Sequence, residues 1–324
     1  MILTEEKKYT ISLEMEDRES TTGLTSKNTE LEFSNKELLH AVVTCGMPIQ
    51  RMTAGFFSKK RLELTYKLFL AETALDTEGD RIKKAKRIAY LDSSEKSVMS
   101  YYMGMFLTKL ISKRMYDTDY LTHLNLIEKT NGDGFIDFFN SEWRPDMIGL
   151  QEAAQTWSVW EAKGGSNRRE QALKKGSQQA AAIASINGTS PSPAAVCMTY
   201  YDHGFLCGVV REPEKLEEKN REAIQFTEEA FFRAYYKPIC ELFTEQGTRL
   251  HFHGKNAEIS VAVPYFPEEK KEEEERMIHV GMSRNLLFCL MENDYKKLVE
   301  SRKKLLDISC PEGAFMGSDG IYIR

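Results

Sequence analysis

Two short segments hold the residues whose types and spacing could do chemistry. Arg144-Pro145-Asp146 puts an acid at a turn. Glu161-Ala162-Lys163 puts a carboxylate and an ammonium two residues apart at the end of an apolar run, with Gly164-Gly165 following. Side chains alternate along a strand, so Trp157, Val159, Glu161 and Lys163 share one face. Glu161 and Lys163 then stand ~6.5 Å apart along it. Hydrolysis of a phosphodiester asks for hard oxygen ligands to hold Mg²⁺. It also asks for an activated water and for positive charge near the phosphate. Asp146 and Glu161 have the oxygens, and Lys163 has the charge. The two glycines are expected to leave backbone room for a phosphate.

Elements must bring these residues together. Residues 147–150 and 156–160 read as the strands of a hairpin around 151–155. About five residues precede that turn and about six follow it, so Asp146 should return beside Glu161. Asp92-Ser93-Ser94-Glu95 opens a helix that continues through 98–115. Residues 120–124 read as a strand, Asn131-Gly132-Asp133-Gly134 as a turn and 135–139 as the approach to the acid. A helix is expected from about 168 to 186, stopping at Asn187-Gly188. Residues 194–200 read as a buried strand with an antiparallel neighbour at 205–210. A competing reading makes Glu161 and Lys163 an ion pair on an exposed edge. Trp157 and Val159 on the same face argue for a semi-buried setting, where an uncompensated carboxylate is costly.

The pairing of Arg144-Pro145-Asp146 with Glu161-Ala162-Lys163 resembles the signature of the PD-(D/E)xK nuclease superfamily, over roughly residues 90–210. The resemblance implies an α/β fold with a restriction endonuclease-like three-layer core, a mixed central sheet flanked by helices. It implies that Asp146 and Glu161 hold Mg²⁺, with Mn²⁺ as a substitute, that the Ala162 carbonyl adds a ligand, and that Lys163 is the catalytic lysine. Members of this kind often place another acid on the first core helix. Glu95 is the candidate, although Asp92 and Glu95 also match a capping box. RecB-like members carry a Gln-x-x-x-Tyr motif on the second core helix; Gln178 and Gln179 stand here without that tyrosine. The function implied is a DNA endonuclease, with a role in defence against foreign DNA, and RNA stays open as a substrate. A catalytically silent nucleic-acid-binding or scaffolding subunit is the alternative.

Arg168, Gln171, Lys175 and Gln178 follow 3-4-3 spacing and share a helix face that suits a nucleic-acid backbone. Leu173, Gly176, Ala180 and Ile183 share another face, whose small residues would let the helix lie close to the sheet.

The rest of the chain sets the frame. At 324 residues, 41% hydrophobic and 29% charged, it can bury a proper core. A net charge of -5 gives no global attraction to nucleic acid, so any phosphate-binding face must be local. Six cysteines lie scattered without a Cys-x-x-Cys pair, which speaks against structural zinc and fits a reducing compartment. With no signal-like N-terminus and no long apolar run, a cytoplasmic protein without membrane contact is expected.

Three segments are expected: 1–89 as a mostly helical N-terminal elaboration, 90–210 as the core, and 211–324 as an α+β region. Within the first, 34–43 and 60–75 read as helices, 9–13 as a weak strand and 17–29 as a loop. Within the last, 212–229 reads as mostly helical, 249–263 as strands, 267–275 as a solvated acidic run and 286–306 as a helix. His251 and His253 share a strand face, but a metal site there ranks far below surface histidines. Trp157 and Trp160 are expected in the core on opposite faces of the sheet. A helicase or other ATPase partner would deliver substrate to so acidic a chain. A homodimer would supply two sites for cutting two strands.

Overall fold

The computed structural model describes residues 2–19, 23–45, 60–130, 143–213, 216–263 and 276–324. Two long strands come first, β1 (Lys8–Glu19) and β2 (Gly23–Ser34), followed by α1 (Asn35–Thr44) and α2 (Lys60–Ala74). A short hairpin, β3 (Leu75–Glu78) and β4 (Arg81–Lys84), leads to the long helix α3 (Ser93–Tyr116). Then come β5 (Tyr120–His123), α4 (Leu124–Thr130), β6 (Met147–Gln151), β7 (Thr156–Gly164) and α5 (Glu170–Ala181). β8 (Ile183–Ile186), β9 (Ala194–Asp202), β10 (Phe205–Arg211) and β11 (Glu222–Ile224) precede α6 (Glu228–Thr244). The chain closes with β12 (His251–His253), β13 (Asn256–Ala262), β14 (Met277–Ser283), α7 (Arg284–Met291), α8 (Tyr295–Leu305), β15 (Phe315–Met316) and β16 (Tyr322–Ile323).

The molecule is an α/β protein built on a mixed central sheet, ordered β2-β1-β4-β10-β9-β7-β6-β5 among the described residues, with β3 attached to β4. The β6–β7 hairpin runs in register from Met147 opposite Trp160 to Gln151 opposite Thr156. Gln155 takes the left-handed conformation in its turn. β9 lies parallel to β7 on the other side, with Val196 opposite Glu161.

Residue alternation along β7 sends neighbours to opposite faces. Trp160 is fully buried against Tyr116 of α3, ring centroids 5.1 Å apart. Glu161 points the other way, under α5, where a Cβ on Gly176 would meet Val196 at 2.5 Å and Glu161 Cγ at 3.3 Å. Helices therefore cover both faces of the sheet at β7. The first starts at a local sequence signal, and the second is placed by its buried face. Asp92 and Glu95 form a complete capping box on α3, and α5 buries Leu173, Gly176, Ser177, Ala180 and Ala181 on one side.

The C-terminal segment packs on the β5–β7 side through aromatic rings of α6 and of Phe226 just before it. Trp157 meets Phe226 and Phe231 edge-on at 5.1 and 5.0 Å, and Tyr120 meets Phe232 and Tyr235 at 5.0 and 5.2 Å. One hydrophobic cluster includes Phe33, Phe106, Trp160 and Phe231, so the three expected segments share a core. Behind it lies a buried polar knot. Asp319, 0% exposed, accepts from Tyr235 and Tyr236 through its side chain and carbonyl, and faces His40 Nε2 at 3.0 Å. Lys109 of α3 donates to the Tyr235 hydroxyl at 2.9 Å.

Several expectations are corrected. The 1–89 segment is not mostly helical. Residues 17–29, expected as a loop, belong largely to β1 and β2, which pair over their whole length and extend the central sheet. Their polar side chains suit an outer strand, where only pairing is required. The helix expected over 168–186 spans only Glu170–Ala181, because Ile183–Ile186 pairs in parallel with β11. That partner also replaces the helix expected over 212–229 with extended chain and a short 3₁₀ turn. Residues 286–306 split into α7 and α8, with Asp294 capping the second. The Asn131–Gly134 turn, the 135–139 approach and the 267–275 acidic run lie outside the described residues.

Candidate active site

The hairpin register continues one step past its last pair, and this closes the site. Asp146 N–H donates to Glu161 Oε2 at 2.9 Å, and Ala162 N–H donates to Asp146 Oδ2 at 3.0 Å. On the opposite edge the Asp146 carbonyl accepts from Leu124 N–H at 2.9 Å. Pro145, with no N–H to offer, is buried beside it. Asp146 is thus fixed by its nitrogen, its carbonyl and one carboxylate oxygen.

Lys163 completes the arrangement. Its ammonium donates to Glu161 Oε1 and, at 2.9 Å, to Gln179 Oε1 on α5. The Gln179 amide in turn donates to the Arg144 carbonyl at 3.0 Å. One glutamine therefore links the Arg-Pro-Asp segment, the β7 lysine and the covering helix. Asp146, Glu161 and Lys163 line a single open cleft of about 530 Å³, with Ser93, Lys96, Ser97, Ser100 and Tyr101 of α3 along one wall. Gly164, Gly165, Ser166, Arg169 and Gln179 complete it.

Burial governs the electrostatics. Glu161 is 1% exposed. Burial pushes its carboxyl well above the usual carboxylate range, and the charge of Asp146 pushes it further against the pull of Lys163. Burial raises Asp146 too, again opposed by Lys163. The Lys163 ammonium and the Arg144 charge near Asp146 do not offset the burial of the two acids, which leaves a deficit of positive charge at the ionised site. A divalent cation offsets such a deficit, and carboxylate oxygens are the donors Mg²⁺ prefers. The donor set therefore fits that ion. Among the described residues no group of three or more His, Cys, Asp or Glu side chains surrounds one point.

The other sequence candidates fall elsewhere. Glu95 is exposed, accepts from Asp92 N–H at 3.0 Å, and serves the capping box; it does not line the cleft. Arg168 precedes α5 and pairs with Glu14 and Glu16 of β1, tying the hairpin to the core. Gln171 and Lys175 are exposed and Gln178 is half-buried, all outside the cleft lining. Gln179, one position on, is the helix residue that reaches the site. Its signal was present in the sequence: it lies sixteen residues after Lys163 on the stretch expected to cover the sheet. The helix face alone did not select it.

Gly164 serves packing rather than phosphate room. A Cβ there would lie 1.8 Å from the Ser100 carbonyl oxygen, and one on Gly104 would lie 2.8 Å from the Lys163 carbonyl. The two glycines let α3 touch β7 directly. Trp157 and Trp160 are core residues on opposite faces, as expected. His251 and His253 are exposed with rings stacked 6.5 Å apart. Glu258 pairs across from His251 but is committed to Arg324 at 2.8 Å and to Tyr322 and His279 at 3.3 Å.

Five cysteines are buried and free, and Cys310 is exposed and free. No helix among the described residues is long and apolar enough to cross a membrane. Comparison with known proteins finds no matching family model, no matching curated protein and no matching solved structure.

Proposed function

We propose that the protein is a metal-dependent nuclease that hydrolyses phosphodiester bonds of a polynucleotide. The observation that carries this reading is the convergence of Asp146, Glu161 and Lys163 on the floor of one cleft. The element order supports it: α3, then β5, the β6–β7 hairpin, α5 and β9, with β9 parallel to β7 and with α4 and β8 interposed. Apart from those two, this is the sequence of elements that the PD-(D/E)xK resemblance leads one to expect.

Each residue has a definite task. Asp146 and Glu161 would hold Mg²⁺ or Mn²⁺, with the Ala162 carbonyl as a further oxygen. The bound ion supplies positive charge against the phosphate and acidifies water. Lys163, steered by Gln179, presents its ammonium to the attacked phosphate and stabilises charge developing there. Gln179 is the second acceptor of that ammonium, beside Glu161. DNA is the first substrate to test, and an endonucleolytic cut is expected because the cleft is open. Defence against foreign DNA, delivery by a helicase or ATPase partner, and dimerisation for cutting two strands belong to the same proposal.

A second reading draws on one specific observation. The Glu161–Lys163–Gln179 network is closed by hydrogen bonds, which suits a silent binding module that keeps the fold without cutting. Incubation of supercoiled plasmid with Mg²⁺ or Mn²⁺ separates the two. Wild-type cutting that disappears in both Asp146→Ala and Lys163→Ala supports the nuclease. Nucleic-acid binding without cutting of plasmid or of a single strand in either metal supports the module.

A further inference from the structure

The cleft has two features that the proposed hydrolysis does not use. Lys96 on its α3 wall and Arg169 on the opposite lip line it, and neither has an acidic partner among the described residues. Between them Tyr101 keeps 39% of its surface exposed while lining the same space. Ser100 and Ser166 also line a separate, narrow notch rimmed by Lys84.

The dimensions select among substrates. Glu161, at 1% exposure, lines this cleft of about 530 Å³. That is the size of a small-ligand pocket, ~300–1,000 Å³, whereas duplex readers spread contacts over ~1,000–2,500 Å² of surface. The α3 wall packs backbone to backbone on β7, Ser100 against Gly164 and Gly104 against Lys163. In a duplex the base faces are stacked on one another and closed to Tyr101. In an unpaired strand they are open to it, and cations with an interleaved aromatic ring are what such a strand binds.

We infer that the cleft takes a single, unpaired polynucleotide strand, its backbone held by Lys96 and Arg169 and one base stacked on Tyr101. This rests on the nuclease reading only in taking the ligand to be a polynucleotide. Lys96 and Arg169 act as positioning residues.

Fluorescence anisotropy with the full chain in Ca²⁺ reads binding without turnover. The probes are a short labelled DNA strand, the same sequence as RNA, and the blunt DNA duplex. An unpaired strand is expected to bind about ten-fold tighter than the duplex, and the tighter of DNA and RNA names the polymer. Tyr101→Ala is expected to lose about ten-fold in affinity, and Tyr101→Phe to retain it. Lys96→Ala and Arg169→Ala should each lower the slope of log affinity against log salt by ~0.7, a change that a purely structural role would not produce. Equal or tighter binding of duplex overturns the inference, as does an unchanged salt slope in both cation variants. If wild type cuts plasmid yet prefers duplex, the strand inference falls and the nuclease stands. If the strand binds as described and nothing is cut in any metal, the groove stands and the nuclease falls.

Discussion

Gly164→Ala is the substitution whose consequence the geometry fixes most tightly. The added Cβ would lie 1.8 Å from the Ser100 carbonyl oxygen and 2.5 Å from its carbon, both backbone atoms of α3. Real Cβ contacts essentially never fall below 3.0 Å. No side chain can rotate away, so helix and strand must separate by about 1 Å, and overpacking of this kind costs ~1–3 kcal/mol. The helix is also held at Gly104, so the strain cannot be relieved by a simple tilt. A shift of ~1 Å in a substrate-positioning wall costs ~10²-fold in rate. Urea unfolding without metal or substrate measures the first effect, and single-turnover cleavage the second. Gly165→Ala is the comparison: its nearest atoms would be at 3.1 and 3.3 Å, the second a Met198 methyl that can move. It should cost ~0.5 kcal/mol. If Gly164→Ala unfolds like wild type and only weakens substrate binding, the glycine exists to admit phosphate and the packing argument is wrong.

Two further substitutions probe the buried charges. The raised carboxyl of Glu161 has a definite sign in linkage: its penalty is absent below the ordinary carboxylate pKa of ~4.3, grows as pH rises towards the raised value, and is complete above it. Glu161→Gln should therefore remove this pH-dependent penalty, so that the metal-free variant gains on wild type as pH rises from the ordinary carboxylate range to neutral. It should also abolish the rise in Tm on adding Mn²⁺; a metal-free Tm difference from wild type that stays flat with pH in calorimetry would contradict this. Asp319→Ala strips acceptors from Tyr235 and leaves His40 and Lys109 without their buried anion. It should destabilise by ~3–5 kcal/mol in denaturant titration. A loss below ~1 kcal/mol would show that the knot is not a structural tie.

The site was far more legible in the sequence than the frame around it. The β6–β7 register followed from counting residues about one turn, and it put Asp146 beside Glu161 as the hydrogen bonds do. The helix starts at Ser34 and Asp92 were equally readable, because capping is local chemistry. What local pattern could not supply was pairing between distant segments. Residues 17–29 carry no apolar alternation, since an outer strand can be polar. Ile183–Ile186 follows a helical run without a break, and β11, which makes it a strand, lies some forty residues on. Glu95 matched both a cap and a ligand, and only the direction of α3 over the sheet decides between them. The displacement from Gln178 to Gln179 has the same origin: a helix face is read from spacing, but its rotation against Lys163 is set by packing at Gly176.

Titration of the metal-free protein with Mn²⁺, followed by calorimetry and by electron paramagnetic resonance of the free ion, tests the carboxylate site most directly. A single site per chain is expected, tightening as pH rises through the raised carboxyl range, and lost in both Asp146→Asn and Glu161→Gln. Undiminished binding in either variant, or none in the wild type, would contradict the claim that these two carboxylates hold a cation beside Lys163.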